Sequence, residues 1–464
     1  MSETVRVTAE PTGQLRRDLS GRQIGMIALG GAIGTGLFLG SGLAISLAGP
    51  AVVFVYAAAA VVALALAYAL AEMVAVHPDA GGFGALAHRY LGPGAGFVQR
   101  WMYWLAVIAN IGSEAVAAAL YLRYWWPQLP LWTGVVVLSL AMIAVNAVAV
   151  RFFGEFEYWF AMIKVVVIVA FVLLGGCYIF LGLPGKPAIG ASILTGSGLA
   201  PTGFEGIWLA LTVVTFSYLG TEAVSITAGE SRDPHRDLPR ATRRMVLRLS
   251  LFYVLAMAVV VTVVPWQDTA AAGGLDQSPF VKLFDLAGIP AAAAIMNFVV
   301  LTAALSAMNT NLYVATRMTY SLATDRMAPS SLAKLNANGI PVRSLALATL
   351  GLVAAVLVAT LSPDTAYPLL ISLALFTALV TWFLIFGTHL AFRRRAGELA
   401  ERPPIRLAGA PYTTITAMVF VLAVIVTTAF TKWFSLAWQV GVPFLFLLIL
   451  IYLVIRRRST ASAR

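Results

Sequence analysis

Two interrupted apolar segments constrain this chain more than any other feature. The first reads GGAIGTG over residues 30–36 and the second reads FSYLGTE over residues 216–222. Each break lies in the middle of a stretch long enough to cross a bilayer. Freed backbone groups find no water in hydrocarbon, so such breaks are tolerated only where the backbone lines a cavity. The two breaks therefore predict an internal cavity at membrane depth.

Apolar stretches recur along nearly the whole chain of 464 residues, 60% of which are hydrophobic and 11% charged. A soluble domain has roughly 25% charged residues. Twelve membrane spans are predicted, over 24–47, 50–76, 97–125, 131–150, 158–183, 205–228, 245–265, 291–322, 343–361, 366–391, 411–431 and 435–455. Because the two breaks open corresponding halves of this pattern, they point to the substrate site of a transporter.

The positive charge of the chain is distributed unevenly between the two sets of connecting loops. The formal net charge is +11, but the loops on one side hold only Arg123, Lys186, Lys282 and Lys432. The positive-inside rule then places both ends in the cytoplasm, which agrees with an even number of spans. The charge thus indicates membrane orientation rather than nucleic-acid binding. Residues 1–21 lack the apolar core of a signal peptide and are predicted to form a tail.

The first break has two interpretations. Gly30 and Gly34 have a small-xxx-small spacing, which often reflects close helix packing alone. The glycines are dense, however, and Thr35 stands among them before an ordinary helix resumes. Where a helix restarts, its free N–H groups and positive dipole end favour an anion such as a carboxylate.

The second break has the opposite polarity. A helix that stops near Phe216–Leu219 leaves carbonyl groups without partners, and these suit an ammonium group. Free N–H groups from one break and free carbonyls from the other match the two charges of a zwitterion. An amino acid is the simplest such ligand.

Four ionisable residues lie inside apolar segments: Glu72, Glu114, Lys164 and Glu222. Such residues usually face the bundle interior or a water-filled path. Lys164 lies deepest, and it either cycles between charged and neutral forms or forms a permanent pair with a buried glutamate. Glu222 directly follows the second break and is a candidate for the pathway or a gate, where it would steer either the ammonium group or a proton. Glu114 is a candidate for the same role, with a structural hydrogen bond to a neighbouring helix as the alternative. Glu72 is assigned to a gate or to packing.

The remaining candidate groups favour structural roles. Cys177, the single cysteine, is predicted to be a buried and inert thiol, and the four histidines are predicted to be solvated at span ends. No serine–histidine, cysteine–histidine or metal-ligand pattern indicates an intramembrane enzyme. No cofactor, nucleic acid or obligatory protein partner is expected.

Several motifs give the chain a resemblance to a known family over nearly its full length. They are LRRDL at 15–19, LGGAIGTGLF at 29–38, FGEFEYWF at 153–160, IKV at 163–165, ITAGE at 226–230 and LTAALS at 301–306. The chain resembles the amino acid permease branch of the amino acid–polyamine–organocation superfamily. The 216–222 stretch, with SPFV at 278–281, is most similar to permeases for 4-aminobutyrate and neutral amino acids.

The resemblance implies a LeuT-like, all-α fold with a five-plus-five inverted repeat and broken first and sixth helices. The repeats then span 22–183 and 205–391, followed by two further helices over 411–455 and a tail over 456–464. It also implies that the substrate carboxylate binds backbone N–H groups of Gly34, Thr35 and Gly36. The amino group then binds carbonyls of four residues: Ala32, Phe216, Ser217 and Leu219.

The same resemblance places Lys164 where sodium-coupled relatives hold a cation, with Ser306 as its neighbour, and implies that the lysine exchanges protons. The expected function is proton-coupled import of amino acids by alternating access in a bacterial cytoplasmic membrane. An amino acid exchanger on the same fold is the alternative, with an intramembrane enzyme or a passive channel as remote ones. The expected partners are an amino acid and the lipid bilayer.

Overall fold

The protein is helical throughout the part seen in the computed structural model. The structure describes residues 33–38, 40–77, 82–148, 150–190, 198–230, 234–270, 279–336, 339–397, 405–431 and 434–461. Within these ranges there is no β-strand, only an isolated bridge between Leu183 and Lys186.

The α-helices are numbered in chain order. They are α1 Thr35–Phe38, α2 Gly40–Ala48, α3 Val52–Val76, α4 Gly82–Tyr90, α5 Pro93–Leu122, α6 Leu131–Val148, α7 Val150–Phe180, α8 Gly203–Phe216, α9 Pro234–Val263, α10 Trp266–Ala270, α11 Pro279–Leu286, α12 Ala292–Thr324, α13 Val342–Ala348, α14 Leu350–Leu361, α15 Ala366–Arg395, α16 Tyr412–Phe430 and α17 Ser435–Ala461. Short 3-10 helices cover Gly49–Ala51, Thr221–Glu230 and Ser330–Ala333.

Helix α5 forms the centre of the bundle. It packs along α12 and α15, while α3 packs along α9 and α2 packs against α8. Long apolar helices such as α3 have few residues that stop a helix, and tertiary packing stabilises them. Other helices contact the described residues of both breaks.

The surface of the bundle is apolar, and its interior holds many polar groups. Large side chains such as Phe54, Leu140 and Leu173 are more than half exposed, whereas Glu157, Lys164 and other polar side chains are buried. Ten of the described helical segments are long and apolar enough to cross a membrane, and Leu131–Ala147 is a shorter apolar helix. An exterior of this kind suits lipid rather than water.

Cys177 belongs to the apolar exterior. The prediction that this thiol is buried is wrong, because the side chain is exposed on α7. Its neighbours in sequence are apolar on all sides of the helix, so the sequence pattern did not reveal which face points outward.

The chain turns sharply between α2 and α3. The segment Gly40–Val76 contains 37 helical residues, which as one straight helix would measure about 56 Å against a hydrocarbon core of about 30 Å. Gly49 has φ of +58° and is followed by Pro50, and the short 3-10 helix that begins at this pair separates α2 from α3. Glycine adopts this conformation without the steric cost that a side chain adds.

The second break lies directly after α8. That helix ends at Phe216, and the N–H groups of Ser217, Tyr218 and Leu219 each donate to a carbonyl three residues earlier, at 2.9–3.2 Å. Gly220 then takes φ of +95°, and the chain continues as a 3-10 helix from Thr221 to Glu230. The helix is therefore interrupted within the segment where the sequence predicts it.

Candidate functional site

The first break is bound by a carboxylate from the central helix. The backbone N–H of Thr35, at the start of α1, donates to Oε1 of Glu114 on α5 at 3.3 Å. Glu114 is 2% exposed, and its Oε2 has no hydrogen-bond partner among the described residues. The first turn of the restarted helix thus already binds one carboxylate, as expected for a helix N-terminus.

Thr35 also connects the first break to α15. Its Oγ1 lies 3.1 Å from the hydroxyl of Tyr367, and either oxygen can donate. Gly34 lies so close to Glu114 that a side chain there would collide with its carboxylate. Helices α5 and α15 therefore both contact the residues predicted to bind the substrate carboxylate.

Lys164 is buried between the first break and α12. Its Nζ donates to the carbonyl of Ile33 at 2.8 Å and to Oγ of Ser306 at 2.8 Å, and the residue is 0% exposed. The Lys164 ammonium thus contacts both the first break and α12, the helix that holds Ser306. The role in proton exchange stays a prediction.

Glu157 is a buried residue of this cluster to which the sequence reasoning gave no role. It lies on α7 two turns before Lys164 and is 0% exposed. Ser306 donates a short hydrogen bond to its Oε1, and Nδ2 of Asn309 donates to its Oε2 at 3.3 Å. Asn146 on α6 in turn donates to Oδ1 of Asn309 at 2.8 Å. The position of Glu157 in an apolar helix was the available signal.

The two breaks lie against each other. A Cβ atom on Gly36 would come within 3.2 Å of both Cα of Ser217 and Cδ1 of Phe216. Gly36 therefore permits a close approach between the restarted helix and the end of α8.

The structure describes only some of the carbonyl groups that are predicted to bind the amino group of the substrate. That of Phe216 accepts the N–H of Leu219 at 3.0 Å, which leaves one of its two lone pairs. Ser217 Oγ lies 3.5 Å from the hydroxyl of Tyr56 on α3. Ala32 lies outside the described residues. The predicted contacts with a ligand stay predictions.

Glu222 holds the second break in its bent form. Its carboxylate accepts the N–H of Gly220 at 3.1 Å and Nε1 of Trp382 at 3.1 Å, and it also bonds Tyr103. Through Trp382 and Tyr103, Glu222 therefore connects this turn to both α15 and α5. Its predicted role in the pathway or a gate stays a prediction.

An apolar cavity of about 190 Å³ lies beside the second break and beside Tyr367, which contacts Thr35 of the first break. Its lining includes Leu43 on α2, Phe216 on α8, Tyr367 and Ile371 on α15, and Phe434. A larger groove of about 430 Å³ lies between α5 and α17, and none of the predicted site residues lines it. Of these two spaces, only the smaller cavity is lined by a residue of a break, Phe216.

A second buried charge cluster lies away from the breaks, at the end of α3. Glu72 pairs with Arg393 on α15 at 2.6 Å, accepts the N–H of Leu407 at 2.9 Å, and lies 3.2 Å from Nε2 of His389. The other nitrogen of His389 lies 3.0 Å from Oγ1 of Thr414. The prediction that the histidines are solvated is wrong for His389, which is 0% exposed because Glu72 holds it inside the bundle.

Two of the predicted site groups have partners within the protein. The Thr35 N–H of the first break donates to Glu114, and the Phe216 carbonyl of the second break accepts the N–H of Leu219. Among the residues that the structure describes, no group of three metal-ligating side chains comes together.

Known transporters and permeases are similar to this chain. The chain is 38% identical to a probable threonine/serine transporter, YbxG, of Bacillus subtilis, over 97% of both chains. It is 39% identical to the gamma-aminobutyric acid permease of Bacillus subtilis, over 90% of this chain and 88% of the relative. It is 37% identical to the aromatic amino acid transport protein AroP of Escherichia coli, over 90% of this chain and 91% of the relative.

A solved structure is similar in fold. A crystal structure of a mutant manganese transporter from Eremococcus coleocola superposes with a TM-score of 0.58 at 14% identity, covering 94% of each chain. The family model for amino acid permeases matches residues 23–462. The chain is thus a multi-pass membrane transporter rather than an enzyme, and it belongs to the amino acid permease family of the amino acid–polyamine–organocation superfamily.

Proposed function

We propose that the protein imports amino acids across the cytoplasmic membrane by proton symport, alternating between outward-open and inward-open states. The observation that carries the proposal is the pair of hydrogen bonds from Lys164 Nζ to the Ile33 carbonyl and to Ser306. A charged amine donates to the broken helix more strongly than a neutral amine does. Protonation of Lys164 is therefore linked to the position of the first break.

The proposed architecture has twelve spans in a five-plus-five inverted repeat. The ten long segments include Gly40–Val76 as one, and the turn at Gly49 divides it between the first and second spans. Leu131–Ala147 supplies a further span. The contacts between α2 and α8, α3 and α9, and α5 and α12 support the repeat, because each joins a helix to its counterpart five spans later.

The substrate carboxylate is proposed to bind the N–H groups of Gly34, Thr35 and Gly36. Glu114 supports this assignment, because its carboxylate already accepts the Thr35 N–H. Binding of substrate then requires Glu114 to release this N–H group. Glu114 is thereby free to contact the amino group of the substrate, together with the carbonyls at the second break.

The side chain of the substrate is proposed to be uncharged. The cavity beside the breaks is lined by Leu43, Phe216, Ile371 and other apolar groups, with Tyr367 as a polar contact. An apolar lining favours an aliphatic or aromatic side chain over a charged one. The names of the three relatives, which act on hydroxylated, aromatic and 4-amino acids, are consistent with a neutral substrate.

Both ends of the chain are proposed to lie in the cytoplasm. The support is the uneven distribution of Lys and Arg between the two sets of loops. In this orientation α7 begins on the cytoplasmic side and Lys164 lies in its membrane-spanning part.

An amino acid exchanger is the second candidate function. It uses the same breaks and the same cavity, and in it Lys164 acts as a fixed cation. The two functions differ in whether a proton gradient alone concentrates the substrate.

The test is uptake into proteoliposomes in sodium-free buffer. A panel of labelled neutral, cationic and acidic α-amino acids, proline and 4-aminobutyrate is offered with and without an inward proton gradient. We expect concentrative uptake of neutral amino acids only with the gradient. Uptake that depends on preloaded amino acid and ignores the gradient would establish the exchanger instead.

A further inference from the structure

We propose that Glu157 is a second proton-binding site, which receives the coupling proton from Lys164 through the hydroxyl of Ser306. The inference rests on the proposed proton symport and adds the route by which the proton leaves the lysine.

The geometry is a chain of three polar groups. Lys164 Nζ donates to Ser306 Oγ at 2.8 Å, and the same hydroxyl donates to Glu157 Oε1 in a short hydrogen bond. Lys164 thus donates to the hydroxyl that would accept its proton, and that hydroxyl donates to the carboxylate that would accept the next one. All three residues are 0% exposed, so the transfer does not compete with bulk water.

The transfer step balances. Ser306 gives its hydroxyl proton to the Glu157 carboxylate while it accepts a proton from the Lys164 ammonium. The products are a neutral amine, an unchanged hydroxyl and a carboxylic acid. The net charge of the cluster stays the same, and no separated charge is created in the low-dielectric interior.

The position of Glu157 gives the step a direction. Its backbone lies seven residues before that of Lys164, a rise of about 10 Å along α7, while the two side chains are joined through the single hydroxyl of Ser306, so the proton moves a shorter distance toward the start of the helix. The span predicted from the sequence over 158–183 begins one residue after Glu157, so Glu157 lies toward the end of α7 that we assign to the cytoplasmic side. Asn309 and Asn146 continue the polar contacts from Glu157 to α6.

The charges around the cluster come from two helices. Lys164 and Glu157 lie on α7, and Glu114 on α5 acts on Lys164 from the first break. Helices α12 and α6 contribute the neutral groups of Ser306, Asn309 and Asn146. When Lys164 loses its proton, its bond to the Ile33 carbonyl weakens, so transfer to Glu157 favours release of the first break.

A purely structural role for Glu157 makes a different prediction. In that case its carboxylate serves only to accept hydrogen bonds from Ser306 and Asn309. A glutamine retains one carbonyl acceptor and a similar shape. It cannot take up a proton, so Glu157→Gln separates the two roles.

The experiment compares Glu157→Gln with Glu155→Gln and the wild-type protein in proteoliposomes. Glu155 is exposed on the same helix and bonds only Trp159 among the described residues, so it is a matched control. Two quantities are measured: accumulation driven by an inward proton gradient, and exchange of labelled for unlabelled substrate at equal pH. An internal pH dye records proton entry.

We expect Glu157→Gln to lose proton-driven accumulation and substrate-dependent acidification but to retain exchange. A gradient of about one pH unit carried by one proton sustains about a tenfold substrate ratio, so that ratio is expected to fall to unity. Glu155→Gln is expected to match the wild type. The proposal would be overturned if Glu157→Gln accumulated substrate as the wild type does. It would also be overturned if Glu157→Gln had the wild-type unfolding temperature but had lost exchange.

Two further results keep the test decisive. If Glu157→Gln does not fold, Ser306→Ala removes the connecting hydroxyl with a small change in volume and is expected to show the same loss of accumulation with exchange intact. Full accumulation by Ser306→Ala would also overturn the relay. A wild-type protein that ignores the proton gradient would contradict proton symport itself, and that result is visible before any variant is compared.

Discussion

The two breaks are held in place in different ways. The first is held by side chains from three other helices: Glu114 on α5, Lys164 on α7 and Tyr367 on α15. The second is held mainly by its own Glu222, which closes the turn at Gly220 and anchors it to Trp382. The first break therefore depends on groups that other helices can withdraw, whereas the second carries its own support.

This difference assigns the breaks different parts in transport. A change of charge at Lys164 or Glu114 acts directly on the first break, because those groups bond its backbone. The second break keeps its shape as long as Glu222 stays in place. We infer that coupling acts mainly on the first break, and the four predictions below test this asymmetry.

The largest effect is expected from Lys164→Ala, which removes the cation bonded to the first break. We expect proton-driven accumulation to be abolished while exchange persists, because the substrate-binding backbone remains. The measurement is uptake into proteoliposomes with and without a proton gradient. Lys186→Ala is the control, because Lys186 is exposed and donates to the carbonyl of Leu286. Full accumulation by Lys164→Ala would remove the lysine from the coupling mechanism.

The next effect is expected from Gly36→Ala, which forces the two breaks apart. The added methyl group would lie 3.2 Å from the Cα of Ser217, so the neighbouring backbone must move. A misplacement of 1 Å can cost about a hundredfold in activity, so we expect a smaller loss, about tenfold, from a shift of part of an ångström. The Michaelis constant and maximal rate of exchange are measured. Gly42→Ala is the control, because no heavy atom lies within 4 Å of a Cβ there and Gly42 does not line the cavity. Equal activities of the two variants would show that the breaks tolerate separation.

A smaller effect on activity is expected from Glu222→Gln. The amide replaces one acceptor oxygen with a donor, so at least one of the N–H groups of Gly220 and Trp382 loses its partner. An unsatisfied buried group costs about 1–3 kcal/mol. We therefore expect a lower unfolding temperature with proton coupling retained. Glu205→Gln, at an exposed position of α8, is the control. Loss of coupling at unchanged stability would mean that the second break is also a coupling element.

The smallest effect is expected from Tyr367→Phe, which removes one hydroxyl from the first break. A single neutral hydrogen bond contributes about 0.5–1.5 kcal/mol. We expect substrate affinity to weaken a few-fold, because Thr35 loses its contact with α15. Equilibrium binding of the labelled substrate is the measurement. Tyr412→Phe, where the side chain is 79% exposed, is the control. An effect as large as that of Lys164→Ala would contradict the ranking of these contacts.

Much of the helical architecture follows from the sequence. Apolar runs of sufficient length predict the helices, and the dense glycines and polar residues predict the breaks. The described part of the chain contains the second break after Phe216, directly within the predicted stretch. These features depend on local composition, which can be read from a single sequence.

The partners of buried polar groups do not follow from the sequence. Glu157 and Ser306 are 149 residues apart, and Glu72 and His389 are 317 residues apart. Nothing in one chain indicates which polar positions on distant helices meet. The direction in which a side chain points is also hard to predict, as Cys177 shows. A helix that is apolar on all sides gives no pattern that separates its lipid-facing side from its protein-facing side.

The exposure of Cys177 has a practical consequence. It is the single cysteine of the chain, and it lies about 5 Å before the end of α7 on the outer surface of the bundle. A maleimide fluorophore or spin label attached there therefore reports on α7, the helix that holds Lys164, from a defined position. A second label at an introduced cysteine on α2 would then measure the distance between the two helices as the proton gradient is switched.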